Sequence, residues 1–325
     1  MIDKRSSLFD HFKISPFLCA PMAGLSHSAF RRLISDFGGY SILYTEMLST
    51  KALLSENLFA SPFTKRRKQE GPVIYQLKLN GNEPVEPIIN KLKSVDPFGI
   101  DINLGCPAPR ISHYGGGCAL FDNINLLSST LQSIRSSWDG LLTVKCRLGK
   151  NSPQWQYQFL ERLKLFEDSG IDVICVHPRF IDEKLKRSAR WDLFSWIREK
   201  TSLIIIGNGD IKNSSALKYV NSEVCDALMI GRMAVVKPWI FSQMCGNKLE
   251  IDYAEVWNRF YNYTCEDFPP EKAIGRIKEF SALYAENFFF GHEFFRTVQS
   301  SPNLKTVLGR ANNFFKSNPL LKNNN

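Results

Sequence analysis

The sequence predicts an α/β fold: a (β/α)8 TIM barrel followed by a small all-α helical domain. Eight short apolar runs recur through the first part of the chain, with amphipathic segments between them. This alternation is typical of parallel strands buried on both faces. Beyond about Ile251 the strand-like runs stop and only helical stretches follow. A doubly wound sheet is the alternative, but its G-x-G-x-x-G fingerprint after the first strand is absent.

The expected strands are short and partly β-branched or aromatic, and they are Phe17–Ala20, Ser41–Thr45, Val73–Leu77, Gly99–Ile102, Leu141–Cys146, Asp172–Val176, Leu203–Ile206 and Asp226–Ile230. The amphipathic segments between them include Ser26–Asp36, Pro84–Val95, Asn125–Ser136, Trp155–Asp168 and Ser214–Asn221. Four further helices are expected over Tyr253–Tyr263, Glu271–Asn287, His292–Ser300 and Leu304–Phe315, with prolines separating them. We therefore expect a barrel domain over 1–245 and a helical domain over 246–325.

Composition excludes several protein classes. The chain has 325 residues, of which 44% are hydrophobic and 22% charged, so it is not disordered, collagenous or a coiled coil. No run of about 18 apolar residues predicts a membrane span, and the charged N-terminus lacks a signal-peptide core. None of the eight cysteines forms a C-x-x-C pair, so we expect no metal site. A reducing, cytoplasmic location is expected.

The basic excess lies mainly in the first part of the chain. Residues 1–245 carry 31 Lys and Arg against 23 Asp and Glu, within a net charge of +9. One cluster is Lys65-Arg66-Arg67-Lys68, and the second contains Lys184, Lys186, Arg187 and Arg190. A solvated surface is one interpretation. The other is a polyanionic partner, because clustered cations attract phosphate-rich ligands.

Polar or glycine residues fall at one end of every expected strand. In a (β/α)8 barrel the C-terminal strand ends build the active site. The residues at those ends are Pro21-Met22-Ala23-Gly24, Glu46-Met47, Gln76, Asn103 to Pro107, Lys145 with Arg147, His177-Pro178-Arg179, Gly207 to Asp210, and Gly231-Arg232. Chance placement would rarely produce this pattern, so these positions are the candidate site.

The last two strand ends suggest a phosphate site. Gly207, Gly209 and Gly231 allow close backbone approach, and Arg232 supplies charge. Ordinary turns are the alternative interpretation. Lys145 lies where a strand interior should be apolar, so it either meets an anionic group such as a reduced flavin or extends to solvent. Together these features favour a phosphorylated cofactor.

Cys106 lies in a Gly-Cys-Pro turn after the fourth expected strand. A thiol in such a turn is a candidate nucleophile or proton donor, although an inert small residue is the alternative. His177 ends the sixth expected strand and is a candidate donor to a phosphate or a carbonyl. A lone histidine is more often structural, but this one shares the barrel mouth with the other groups.

In order and spacing, these motifs resemble those of the tRNA-dihydrouridine synthases. The match covers about residues 17 to 245, and the helical tail fits the RNA-binding domain that follows the barrel in that family. The motifs that carry the resemblance are Ala20-Pro21-Met22-Ala23-Gly24, Thr45-Glu46-Met47, Gln76-Leu77, Asp101-Ile102-Asn103-Leu104-Gly105-Cys106-Pro107, Val144-Lys145-Cys146-Arg147-Leu148-Gly149, Val176-His177, Gly207-Asn208-Gly209-Asp210-Ile211 and Met229-Ile230-Gly231-Arg232. Gly115-Gly116-Gly117 behind the Gly-Cys-Pro turn adds specificity.

The resemblance implies an FMN enzyme that uses NADPH, or NADH, to reduce uridines in the D-arm of tRNA. Cys106 would be the proton donor, Asn103 would face the uracil, and Arg179 would contact the substrate. The tail resembles the class that acts at tRNA position 16, and we expect a monomer. The resemblance assigns cofactor binding to Pro21, Met22, Ala23, Gln76, Lys145, His177, Asn208, Gly209, Asp210, Gly231 and Arg232.

One motif departs from the family. His177-Pro178-Arg179-Phe180 stands where His-Gly-Arg-Thr is usual, so a backbone N–H and a hydroxyl are missing. Two other functions stay open at this point. The barrel could reduce a free pyrimidine or another small molecule, or the chain could be a non-catalytic RNA-binding protein. The helical tail and basic excess argue against the first, and Cys106, Lys145 and Asn103 argue against the second.

Overall fold

A closed parallel barrel forms the first part of the molecule. The computed structural model describes residues 4–183 and 185–322. The strands are β1 (Phe17–Cys19), β2 (Ile42–Tyr44), β3 (Leu48–Ser49), β4 (Val73–Lys78), β5 (Gly99–Leu104), β6 (Leu141–Arg147), β7 (Val173–His177), β8 (Ile204–Asn208) and β9 (Ala227–Ile230). All pairings are parallel, and β9 pairs with β1 to close the barrel. The predicted (β/α)8 fold is confirmed, with the two-residue β3 as an addition beside β4.

The helices surround the barrel and then continue alone. Those of the barrel part are α1 (Lys4–Ile14), α2 (Ser28–Phe37), α3 (Thr50–Ser55), α4 (Val85–Lys93), α5 (Pro109–Ser112), α6 (Cys118–Asp122), α7 (Ile124–Ser137), α8 (Trp155–Asp168), α9 (Leu193–Arg198), α10 (Arg232–Val236) and α11 (Ile240–Met244). The helical region contains α12 (Tyr253–Asp267), α13 (Pro270–Tyr284), α14 (Gly291–Gln299) and α15 (Leu304–Lys316). Among the described helices, none combines the length and apolarity needed to cross a membrane.

Helix α1 closes the N-terminal end of the barrel, which the sequence pattern did not predict. Its Leu8 and Phe12 are buried in one apolar cluster with interior residues at the starts of the strands, such as Ile42, Val173 and Ile204. The apolar side chains of the barrel interior would otherwise meet water at this end. The chemistry is therefore left to the opposite end, where the strands finish.

Aromatic contacts and ion pairs hold the helical region against the barrel. Phe280 of α13 packs against Phe30 of α2, with ring centroids 6.4 Å apart. The Asp267 carboxylate, whose side chain is fully buried, lies 2.6 Å from both Lys65 Nζ and Arg67 Nη2. These two cations from the first basic cluster therefore pair with the protein itself. The polyanion interpretation does not hold for Lys65 and Arg67.

Candidate active site

A cavity of about 610 Å³ opens at the C-terminal ends of the strands, a volume typical of small-molecule sites. The expected cofactor residues that line it are Pro21, Met22, Lys145, His177, Asn208, Gly209, Asp210, Gly231 and Arg232. Parallel strands bring their ends to one rim, which is why residues so far apart in sequence meet here. Ala23 instead lines a neighbouring cavity, and Gln76 is buried below the rim.

Lys145 rises from β6 into this cavity and is held by a neutral partner. Its Nζ donates to Asn208 Oδ1 at 2.9 Å, and Asn208 Nδ2 donates to the Met229 carbonyl at 2.8 Å. The amide fixes the direction of the lysine without neutralising its charge. The half-buried ammonium therefore favours an anionic or electron-rich ligand.

His177 is neutral, and its tautomer is fixed. Burial, together with the cations Lys145, Arg147 and Arg179, lowers the pKa of His177 to about 2. Arg179 Nη1 lies 2.7 Å from His177 Nε2. Because a guanidinium only donates, Nε2 must accept and the ring proton lies on Nδ1. His177 therefore offers the cavity a neutral N–H donor.

Arg179 lies beneath this site. Its Nη2 donates to Asp210 Oδ2 at 2.5 Å, and its Nε donates to the Arg187 carbonyl. Its side chain is only 3% exposed. The structure thus gives Arg179 three protein partners and places it where it orients His177 and Asp210.

The loop after β8 needs glycine at one position. Gly209 has a φ of +124°, and a Cβ there would lie 2.7 Å from His177 Cδ2. Asp210 follows with a φ of +55°. A Cβ on Gly231 would meet nothing nearer than 3.6 Å, the distance to Ala20 Cβ. Gly209 is therefore required by the packing, whereas Gly231 leaves open backbone beside the cavity.

A buried chain of amides joins Gln76 to the cysteine turn. Gln76 Nε2 donates to Asp101 Oδ2 at 2.7 Å, and Asn103 Nδ2 donates to Gln76 Oε1 at 2.9 Å. The Cys106 N–H then donates to Asn103 Oδ1 at 3.1 Å. Burial raises the pKa of Asp101 to about 7. The sequence pattern predicted no role for Asp101, and the signal that could have found it is a carboxylate inside an apolar strand.

The Cys106 turn is also fixed from the opposite side. The Cys118 N–H donates to the Cys106 carbonyl at 3.2 Å. Gly117 has a φ of +59°, and a Cβ there would lie 2.6 Å from that carbonyl oxygen. The glycine stretch therefore sets the position of the turn. Cys106 itself is partly exposed, whereas Cys19, Cys146 and Cys175 are buried.

The comparisons with known proteins agree with this arrangement. A family model described as dihydrouridine synthase matches residues 18–303. The chain belongs to the dihydrouridine synthase family. It is 31% identical over 250 residues to the tRNA-dihydrouridine synthase B of Shewanella oneidensis, covering 73% of this chain and 75% of the relative. It is 32% identical over 232 residues to the protein of that name from Salmonella typhimurium, covering 70% of each chain.

Solved structures show the same fold at low identity. The old yellow enzyme from Trypanosoma cruzi has a TM-score of 0.52 and 8% identity, covering 78% of this chain and 93% of that chain. A 2-naphthoyl-CoA reductase has a TM-score of 0.52 and 12% identity, covering 71% of this chain and 50% of that chain. The prediction of an enzyme of the dihydrouridine synthase family is confirmed. The position on tRNA, the particular flavin and the electron donor stay predictions.

The structure explains how this family member tolerates its altered His-Pro-Arg-Phe motif. Phe180 is buried and packs edge-on against Trp155, with ring centroids 5.3 Å apart. The Arg190 guanidinium lies over the Phe180 ring, 4.8 Å from its centroid, and pairs with Glu183. The Phe180 side chain thus anchors the loop that follows it, at the position where the family usually has a threonine.

The second basic cluster lies on this loop of the synthase and is only partly engaged. Arg190 pairs with Glu183, whereas Lys186 and Arg187 are exposed. Lys184 lies outside the described residues. The polyanion interpretation therefore stays a prediction for Lys186 and Arg187.

A smaller cavity of about 330 Å³ adjoins the rim between barrel and helical region. Glu46 accepts a hydrogen bond from the Gly24 N–H at 2.6 Å, and burial raises the pKa of Glu46. Arg276 and Glu279 of α13 face the same space. The helical region therefore contributes side chains beside the candidate active site, which sequence reasoning did not predict.

Proposed function

We propose that this chain is an FMN-dependent, NADPH-driven tRNA-dihydrouridine synthase that reduces a D-arm uridine, position 16 being the expected target. The single observation that carries the proposal is the joined geometry of the rim. The partly exposed Cys106 is tied through Asn103 to Gln76, beside a cavity that contains Lys145 and a glycine-lined end. This arrangement suits a thiol that meets a base above a bound cofactor.

The cavity residues fit FMN. Gly231 leaves room for backbone approach at one end, where the Arg232 side chain is 56% exposed, and Gly209 lines the same cavity. These groups would hold the phosphate, with Asn208 and Asp210 nearby. Lys145 and the Nδ1–H of His177 would bind polar atoms of the ring, and Met22 would pack on its apolar part. The chemistry that a bound flavin would supply here is hydride transfer from NADPH, or NADH, to the uracil.

The chain itself supplies orientation and a proton. Asn103 sets the position of the Cys106 backbone and lies beside the uracil. The Sγ–H of Cys106 delivers its proton to C5 of the base while the hydride adds at C6, so the reduced ring is neutral. A positioned general acid of this kind contributes about 100-fold or more to the rate.

Substrate binding falls to the barrel cations and to the helical region, residues 246–325. The target base must leave its stack to reach the rim, and this is easiest in a loop such as that of the D-arm. We propose that the chain acts as a cytoplasmic monomer on tRNA.

The test has two parts. Heat release from the purified protein should yield FMN, identified by mass, and incubation with NADPH and unmodified tRNA should form dihydrouridine. Mapping of dihydrouridine in tRNA from cells that lack the protein should show its loss at position 16. Release of FAD, reduction of a free pyrimidine, or a colourless folded protein that binds tRNA would each contradict the proposal.

A further inference from the structure

A second cavity, also of about 610 Å³, lies where α11, the linker after it and the C-terminal segment meet. Three lysines line it: Lys237, Lys248 and Lys322. The amide side chains of Gln243 and Asn247 face the same space. Neither the family assignment nor the proposed chemistry gives these residues a role.

The charge of this cavity is positive. Lys248 and Lys322 are exposed, and Lys237 is mostly buried, which lowers its pKa. The nearby Asp252 carboxylate accepts from the Glu255 N–H at 3.0 Å and caps α12. That carboxylate is not among the groups that line the cavity, so the three lysines give the lining a net positive charge and the cavity suits an anion.

Two exposed phenylalanines lie beside the lysines. The Phe289 N–H donates to the Leu320 carbonyl at 3.0 Å, and the Lys322 N–H donates to the Asn287 carbonyl at 2.8 Å. These bonds hold the Phe289 segment alongside the segment that carries Lys322. The side chains of Phe289 and Phe290 are 59% and 56% exposed. Two large aromatic residues this exposed beside a basic cavity indicate an interaction surface.

The same segment reaches the candidate active site. Glu286 lines the cavity at the strand ends, and the Asn287 side chain donates to the Val236 carbonyl at 2.6 Å. Residues 286–290 thus run from the cofactor cavity to the exposed phenylalanines. A ligand that reaches both places must be extended, and the lysines and phenylalanines at the far end suit anionic groups and flat rings.

We propose that Phe289 and Phe290, with Lys237, Lys248 and Lys322, form a platform for an unpaired stretch of the RNA substrate. Bases stack on the two rings while backbone phosphates meet the lysines, the usual combination in single-strand binding. The platform rests on the proposed function in taking tRNA as the substrate. It adds a second binding surface, outside the catalytic rim, that prefers single-stranded to double-stranded RNA.

The experiment compares two double variants with a matched control. The phenylalanine variant combines Phe289→Ala with Phe290→Ala. The lysine variant combines Lys248→Ala with Lys322→Ala. Both variants change exposed side chains only. Tyr157→Ala with Lys164→Ala removes an exposed aromatic and an exposed lysine from α8 on the barrel. Binding of labelled oligouridine, of a matched RNA duplex and of tRNA is measured by fluorescence anisotropy over a range of salt.

The phenylalanine variant should bind oligouridine and tRNA about tenfold more weakly, as expected when base stacking is removed. The lysine variant should lower the log–log salt slope by about 0.7 for each phosphate that is no longer neutralised. Dihydrouridine formation should keep its kcat and show a raised KM. If the variants lose as much affinity for the duplex as for oligouridine, the assignment to single strands is wrong. If uridine monophosphate binds as tightly as oligouridine, the surface is a site for one nucleotide and the platform is wrong.

The outcomes separate this platform from the proposed function. If the wild-type protein forms dihydrouridine and both variants match the control in binding, the platform is wrong and the function stands. If the wild-type protein binds oligouridine through these residues but forms no dihydrouridine in any tRNA, the function is wrong and the platform stands.

Discussion

Cys106 is the residue whose chemistry can be separated most cleanly from its structural setting. Its backbone N–H and carbonyl make the hydrogen bonds that hold the turn, to Asn103 Oδ1 and the Cys118 N–H. Its side chain is partly exposed. Replacement of the thiol alone should therefore leave the turn in place.

We expect Cys106→Ala to bind FMN and to oxidise NADPH nearly as the wild-type protein does, because neither step needs a proton on the base. Dihydrouridine formation should fall by about 100-fold or more. The two half-reactions are measured separately, by flavin absorbance and by dihydrouridine content. Cys245→Ala, which removes an exposed thiol elsewhere, is the control. A parallel fall in both half-reactions would mean that Cys106 holds the site together instead.

Arg179 acts on the site through His177. It bonds to His177 Nε2 and to Asp210, and it is one of the cations that lower the histidine pKa. In Arg179→Leu the pKa of His177 should rise from its low value, while burial and the cations Lys145 and Arg147 still hold it below its ordinary range. The ring then protonates at a higher pH than in the wild-type protein, so the acidic limb of dihydrouridine formation should move to higher pH.

FMN affinity of Arg179→Leu should also drop, by about tenfold, because the Asp210 carboxylate beside the cavity loses its main partner. Fluorescence titration with FMN and the pH profile measure the two effects. Arg198→Leu breaks a comparable pair with Asp226 away from the cavity, where the distance is 2.5 Å. It should lower stability without changing either readout. An Arg179 variant that behaves like this control would refute the positioning role.

At the scale of elements, the barrel strands follow from sequence and several helices do not. Buried parallel strands carry unbroken apolar runs, so the pattern predicted all eight barrel strands within a few residues. Helix α1 was missed because only a few of its residues are apolar, and the tertiary contacts of Leu8 and Phe12 decide its position. The predicted helix Ser214–Asn221 is a 3₁₀ helix over Ser214–Tyr219.

The site was predictable to a similar extent. Strand ends of a parallel barrel converge, so the sequence alone predicts that the residues at those ends lie close together. The hydrogen-bond partners of those residues could not be predicted, because side-chain directions decide which groups meet. Asp101, the bond from Arg179 to His177 and the residues of α13 near the rim belong to this second group.

The loop after β8 gives a prediction at this scale. Gly209→Ala places a Cβ against the His177 ring and strains a backbone with φ of +124°. We expect lower thermal stability and at least tenfold weaker FMN binding, since His177 must move. Gly246→Ala carries a similar strain, with φ of +90°, but meets nothing within 4 Å. It should lower stability by about 1 kcal/mol and leave FMN binding unchanged, and equal FMN affinities in the two variants would contradict the packing role of Gly209.

At the scale of the whole molecule, the two basic clusters have different roles. Lys65 and Arg67 pair with the buried Asp267 and join the barrel to α12. Lys186 and Arg187 are exposed on the loop whose Leu185 lines the cavity at the strand ends. A count of charges along the chain cannot separate these two situations, because it contains no information about partners.

We therefore expect Lys65→Ala with Arg67→Ala to destabilise the protein by about 3 kcal/mol, since Asp267 is left buried without its cations. Lys186→Ala with Arg187→Ala should keep the melting temperature and lower the log–log salt slope of tRNA binding by about 0.7 to 0.9 for each phosphate that is no longer bound. Thermal unfolding and binding at several salt concentrations measure both effects. If only the Lys65 and Arg67 variant lowered the salt slope of tRNA binding, that pair would be the one that binds tRNA, and the assignment of the two clusters would be wrong.

The helix that closes the barrel has a consequence for synthesis on the ribosome. Helix α1 leaves the exit tunnel before the barrel strands, but the strand starts that bury Leu8 and Phe12 include those of the last strands. Its docking surface is complete only when β9 pairs with β1, joining Leu228–Ile230 to Phe17–Cys19. Helix α1 must therefore wait, with Leu8 and Phe12 exposed, until the last barrel strand has emerged. A nascent chain stopped before Ala227 should keep this segment open to chaperones and proteases, and barrel closure should be the slow, late step of folding.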